Sequence, residues 1–82
     1  MSTENETTTE RLRKLLSDQL NVRESDIQTE SSIGDDLGAD SLDKIELLLL
    51  TEEEFGIEIN DGQWDEVETF EHALELIEAL DG

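Results

Sequence analysis

Gly38-Ala39-Asp40-Ser41-Leu42 joins a loop rich in Ser, Gly and Asp to the most apolar run of the chain, residues 42–50. An Asp directly before a helical run is a natural N-cap, because its carboxylate accepts the first free backbone N–H groups. Ser41 is then expected at the first helical position, with its hydroxyl at the surface and at the positive end of the helix dipole. A phosphate ester is favoured there for the same reason that free phosphates are. One serine is thus placed to carry an anionic attachment.

Reading forward, residues 41–55 form a helix with two apolar stripes when projected at about 100° per residue. Leu47, Leu48 and Phe55 cluster on one side, with Thr51 in their midst, and this side is expected to face the core. The Thr51 hydroxyl is expected to bond back to the Leu47 carbonyl. Leu42, Ile45 and Leu49 form a stripe on the opposite side, beside Glu46 and Glu53, with Asp43 further round. A chain of 82 residues has little material to cover a helix on all sides, so this stripe reads as a partner-binding face. The alternative is a central helix buried all round. Gly56 follows as a C′ residue. Ile57 and Ile59 alternate with polar residues and read as an extended connector. Asn60 or Asp61 is placed to cap a short helix over residues 63–67 despite Gly62. Thr69 is placed to cap a last helix whose apolar face is Phe70, Ala73, Leu74, Ile77 and Leu80.

Reading backward, residues 21–40 make a long loop that Val22, Ile27, Ile33 and Leu37 can pin to a core. Before it, Leu12, Leu15, Leu16 and Leu20 recur at i, i+3, i+4 and i+8, one face of an amphipathic helix. Thr7 and Glu10 have capping-box spacing at its start. Arg11, Arg13 and Lys14 are expected on its solvated side. Residues 1–6 have no apolar pattern and are expected to be a disordered tail ahead of a domain spanning 7–82. The fold expected is all-α: a small four-helix bundle of three main helices and one short one, with a long loop between the first and second.

The run Asp36-Leu37-Gly38-Ala39-Asp40-Ser41-Leu42-Asp43 resembles the prosthetic-group site of acyl carrier proteins, whose core is Asp-Ser-Leu. It continues into Glu46-Leu47 and Glu52-Glu53-Glu54-Phe55, which are similar to the family's second helix. From Glu10 to about Leu80 the chain lies on the family pattern without an obvious gap. The resemblance implies that Ser41 receives a 4′-phosphopantetheine arm from coenzyme A, and that the arm's thiol carries acyl groups as thioesters. It implies that Asp40 assists recognition by a phosphopantetheinyl transferase. It also implies a docking face for acyltransferases, ketosynthases or acyl-ligases made by Leu42, Asp43, Ile45, Glu46, Leu49 and Glu53. Leu47, Thr51, Phe55, Ile59 and Trp64 would line the interior into which the family folds its acyl chain. Three departures stand out. Thr51 replaces an apolar residue. Trp64 replaces a small one, where it can plug or reshape the interior or cover a small core. Leu48-Leu49-Leu50 and Asn60 replace the usual mixture and a usual Pro. Beside general fatty acid synthesis they leave open a specialised carrier, for example for lipid A, a polyketide or an unusual acyl chain.

Composition sets the bounds. Twenty-four Asp and Glu against five Lys and Arg give a net charge of −19, which excludes nucleic acid through phosphate repulsion. The same charge attracts basic protein surfaces with fast, salt-sensitive association. With no Cys, no disulfide or thiolate metal site can form, and thiol chemistry requires an added group. No leader or membrane span is visible, so a monomeric cytoplasmic protein is expected. No base stands near Ser41 in sequence, and the single His, His72, sits among Glu71 and Glu75. The chain reads as a carrier and a transferase's substrate, not an enzyme. Asp35, Asp36, Asp40, Asp43 and Glu46 lack the EF-hand spacing, so no specific metal is expected, only weak Mg²⁺ or Ca²⁺ screening. Three other readings stay open: an aminoacyl or peptidyl carrier using the same arm, an unmodified acidic interaction domain, and a cation-binding helical domain.

Overall fold

The computed structural model describes residues 7–81. The tail expected over residues 1–6 lies outside them, as does Gly82. Four α-helices appear in order, α1 (Thr8–Leu20), α2 (Ser41–Phe55), α3 (Asp61–Asp65) and α4 (Phe70–Asp81), with one 3-10 turn at Glu24–Asp26 in the loop between the first two. No strand is formed among the described residues, only one isolated bridge between Ser32 and Thr69. This is the all-α bundle of three longer helices and one short one.

Local chemistry fixes the helix ends. Thr7 caps α1 in a capping box with Glu10, and Asn21 closes it in the left-handed conformation at φ 60°. Asn tolerates that region better than most residues because its short polar side chain bonds locally. Gly56 ends α2 at φ 64°, where a Cβ would be strained. The third helix begins two residues earlier than expected. Asn60 accepts the Gly62 N–H, and Gln63 returns a bond to the Asn60 N–H. These two bonds fix the start at Asp61, and the cost of a glycine in the first turn is offset.

α1 runs antiparallel to α2. Arg11 near the start of α1 pairs with Glu54 near the end of α2 at 3.0 Å. Gln19 near the end of α1 donates to Glu46 near the start of α2 at 2.6 Å. The core is built by Leu12, Leu16, Leu47, Trp64, Val67, Phe70, Ala73 and Ile77, with Ile27, Ile33 and Leu37 entering from the long loop and Ile59 from the connector.

That loop is ordered by hydrogen bonds to the head of α4. The N–H groups of Phe70 and Glu71 donate to the carbonyls of Ser31 and Thr29, and Ile33 N–H donates to Glu68 O. The loop thereby satisfies helix N–H groups that have no intrahelical partner, while Thr69 takes the His72 N–H.

Leu48 and Phe55 face the core as expected and pack against it, each half-buried; Leu48 also borders a groove towards α3, and Phe55 lies under the Arg11 guanidinium, 4.6 Å from the ring centre. Three expectations about packing need correction. Leu80 is exposed near the end of α4, and Leu76 packs against the core instead. Arg13 is not fully solvated: its Nε donates to the Ile27 carbonyl at 3.1 Å and its guanidinium lies over Phe70. Finally, Thr51 is fully buried and its hydroxyl has no partner, so the bond back to Leu47 is absent.

Candidate functional site

The head of α2 is held by a reciprocal pair of carboxylates. The Asp40 side chain accepts the Asp43 N–H at 2.9 Å, and the Asp43 side chain accepts the Asp40 N–H at 3.3 Å. Ser41 is the first residue of the helix, exposed and immediately after the cap. Gly38, at φ 80°, turns the chain just before it. The N–H groups of Ser41 and Leu42, which no intrahelical carbonyl can reach, are left to solvent or to an anion at the positive helix end. The serine therefore has what a phosphodiester requires: an accessible hydroxyl on a rigid element, with backbone donors beside it.

Beside Ser41 lies a groove of about 530 Å³ between α2 and α3. Lys44, Ile45 and Leu48 form its α2 wall, Asp61, Gly62 and Asp65 its α3 wall, and Trp64 contributes from within. Trp64 is only 3 % exposed, and its indole N–H donates to the Lys44 carbonyl at 2.8 Å. The Lys44 ammonium donates in return to the Val67 carbonyl at 2.8 Å and reaches that of Asp65 at 3.5 Å.

Next to the groove, Leu42, Ile45 and Leu49 are 62 %, 56 % and 59 % exposed. They follow at i, i+3 and i+7, one stripe along α2. The carboxylates around the stripe are not equivalent. Glu53 is exposed, and it lines the α1–α2 cleft with Arg11 and Lys14. Glu46 is half-buried and held by Gln19. Asp43 is engaged in the cap. A hollow lined by Gln19, Glu46, Leu49 and Leu50 adjoins the stripe.

Of the five residues proposed to line an acyl interior, Leu47, Thr51, Ile59 and Trp64 are in the core, and Phe55 is at its edge. Only Trp64 borders the groove that contains Ser41. Lys44, the cross-brace between α2 and the end of α3, is not among the residues that the sequence pattern marks. One signal was available: it is the last of the five cations in the chain and stands alone among carboxylates. His72 is exposed on α4. Among the described residues no group of three or more His, Asp or Glu side chains is arranged to hold a metal. Nor is any helix there long and apolar enough to cross a membrane.

An exposed serine thus heads a long helix, beside a groove and an adjoining bare apolar stripe that share Ile45. The family model for the phosphopantetheine attachment site matches residues 10–77, and the chain belongs to that family. Its members are carriers and not catalysts. They hold 4′-phosphopantetheine covalently, receive it from phosphopantetheinyl transferases and work with biosynthetic enzymes.

Proposed function

We propose that this chain is an acyl carrier protein whose arm is attached at Ser41 and whose docking surface is the exposed face of α2. The observation that carries this reading is Ser41 itself, exposed at the capped head of α2 within the region matched to the family. Asp40 fixes the helix start and so holds the serine backbone in place for a transferase. In loading, the Ser41 hydroxyl oxygen attacks the β-phosphate of coenzyme A in the transferase's site. The phosphoanhydride bond to adenosine 3′,5′-bisphosphate breaks, that nucleotide departs, and the hydroxyl proton passes to a base of the transferase. The bound arm supplies a thiol that holds acyl groups as thioesters activated for transfer.

The chain's own residues supply presentation. Leu42, Ile45 and Leu49 give a partner apolar surface to cover. Glu53, with Asp43 and Glu46 more tightly held, supplies negative charge facing basic docking patches on acyltransferases, ketosynthases or acyl-ligases. Attraction of this kind speeds encounter more than it tightens binding, which suits a carrier that must leave each enzyme in turn. The proposed setting is the cytoplasm, and the proposed partners are enzymes of fatty acid, lipid A or polyketide-type synthesis.

The absence of Cys makes the test direct. The protein is incubated with coenzyme A, Mg²⁺ and a broad-specificity phosphopantetheinyl transferase, freed of coenzyme A, and titrated with a thiol reagent. One thiol per chain in the unaltered protein, and none in Ser41→Ala, is the expected result. A thiol count of zero in both would overturn the reading.

A further inference from the structure

The groove beside Ser41 raises the question of where a carried group can go. An apolar chain tethered at this serine gains by leaving water, and two destinations are at hand: the groove itself and the core behind it. The groove suits a long saturated chain poorly. Ile45, Leu48 and Trp64 give it apolar walls, but it is an open groove rimmed by Asp61 and Asp65, both exposed, so a long chain lying in it stays partly in water.

Trp64 stands between the groove and the core, lining the one and belonging to the other. Its indole is part of the core, 3 % exposed, and is pinned by the 2.8 Å bond to the Lys44 carbonyl. The ammonium of the same lysine is bonded to Val67 O, just past the end of α3. The two bonds run in opposite directions between one residue of α2 and the α3 region, so parting the two helices requires breaking both. Around this brace Leu47, Val67, Phe70 and Ile33 are each at most 1 % exposed. A close-packed interior of this kind does not accept added methylenes without displacing what is there.

We propose that Trp64, locked to Lys44, is a fixed floor that keeps cargo out of the bundle. The acyl groups suited to this chain are then short or polar ones, held in the groove or in solvent, and not long saturated chains stored in the core. The proposal rests on the carrier reading and narrows its substrate class.

The test uses the full chain loaded by the transferase from acyl-coenzyme A carrying two, four, eight or twelve carbons. Intact mass confirms each loaded form. Two readouts follow: the rate of thioester cleavage by hydroxylamine, and the emission of Trp64, the chain's single tryptophan. A fixed floor predicts cleavage rates within about twofold across the series and an unchanged emission maximum. Storage in the core predicts roughly fourfold slower cleavage for each further methylene that is buried, with shifted emission as the indole gives way. That outcome overturns the proposal while leaving the carrier reading intact. Failure of any loaded mass to appear overturns the carrier reading, and this proposal with it. Trp64→Leu is expected to bring in the length dependence. The unaltered protein decides the matter by itself if that variant does not fold.

Discussion

Replacing Thr51 by Val should stabilise this protein, although Thr51 sits inside α2. Thr51 is 0 % exposed and its hydroxyl has no hydrogen-bond partner. An unsatisfied buried polar group costs about 1–3 kcal/mol. Valine has nearly the same shape, the same β-branching and a similar helix propensity, so Thr51→Val exchanges the orphaned hydroxyl for a methyl without opening a cavity. The gain expected is about 1–2 kcal/mol, which for a domain of this size raises Tm by roughly 4–8 °C per kcal/mol. Thr51→Ser keeps the hydroxyl and removes a methyl, and should lose about 1 kcal/mol. Urea unfolding followed by circular dichroism checks both, with unchanged m values showing that the folded and unfolded states remain comparable. A Val variant less stable than the parent would refute the reasoning. It would mean that the hydroxyl is bonded in the folded protein, with the Leu47 carbonyl one turn back as the natural acceptor.

Other outcomes follow from the same structure. Asp40→Ala removes the acceptor of the Asp43 N–H and should cost about 1 kcal/mol, measured by urea titration, together with slower loading by the transferase. Gly56→Ala forces a Cβ into the left-handed region at φ 64° and should cost about 1 kcal/mol in the same titration. Leu49→Glu replaces a side chain that is 59 % exposed. It should leave Tm within about 2 °C while lowering kcat/KM with the transferase about tenfold, the scale of one lost interface anchor. A net charge of −19 predicts a Tm that climbs between 10 mM and 150 mM NaCl, as the Debye length falls from about 30 to about 8 Å. A scan at the two salt levels reads this directly.

How much of this could be read from the sequence depended on the range of each interaction. The caps at Thr7, Asp40 and Gly56 are decided within four residues, so capping chemistry placed those helix ends correctly. The exposed stripe of Leu42, Ile45 and Leu49 was legible too, because angular position along a helix needs only the helical period. At α3 two local signals compete: Gly62 argues for a later start, while Asn60, one of the two expected caps, sets an earlier one through its box with Gln63. The Trp64–Lys44 brace was not legible. Its partners are 20 and 23 residues apart and it uses backbone carbonyls, which every residue carries and which leave no mark in a sequence. The charge of Arg13 points to solvent, but its long stem lets it reach inward. In the fold it reaches the Ile27 carbonyl and the Phe70 ring, neither of which is near it in sequence. The orphaned Thr51 hydroxyl depends on the side-chain rotamer, which helix periodicity does not determine.

Ser41, among all the hydroxyls of the chain, is the one proposed to carry the arm. The most direct measurement is tandem mass spectrometry of peptides from the loaded protein, reading which residue bears the phosphopantetheine mass. The whole of the added mass is expected on the peptide containing Ser41, with the characteristic loss of pantetheine on fragmentation, and no addition in Ser41→Ala. Modification at Ser31 or Ser32 in the long loop, or an addition that survives in Ser41→Ala, would contradict it.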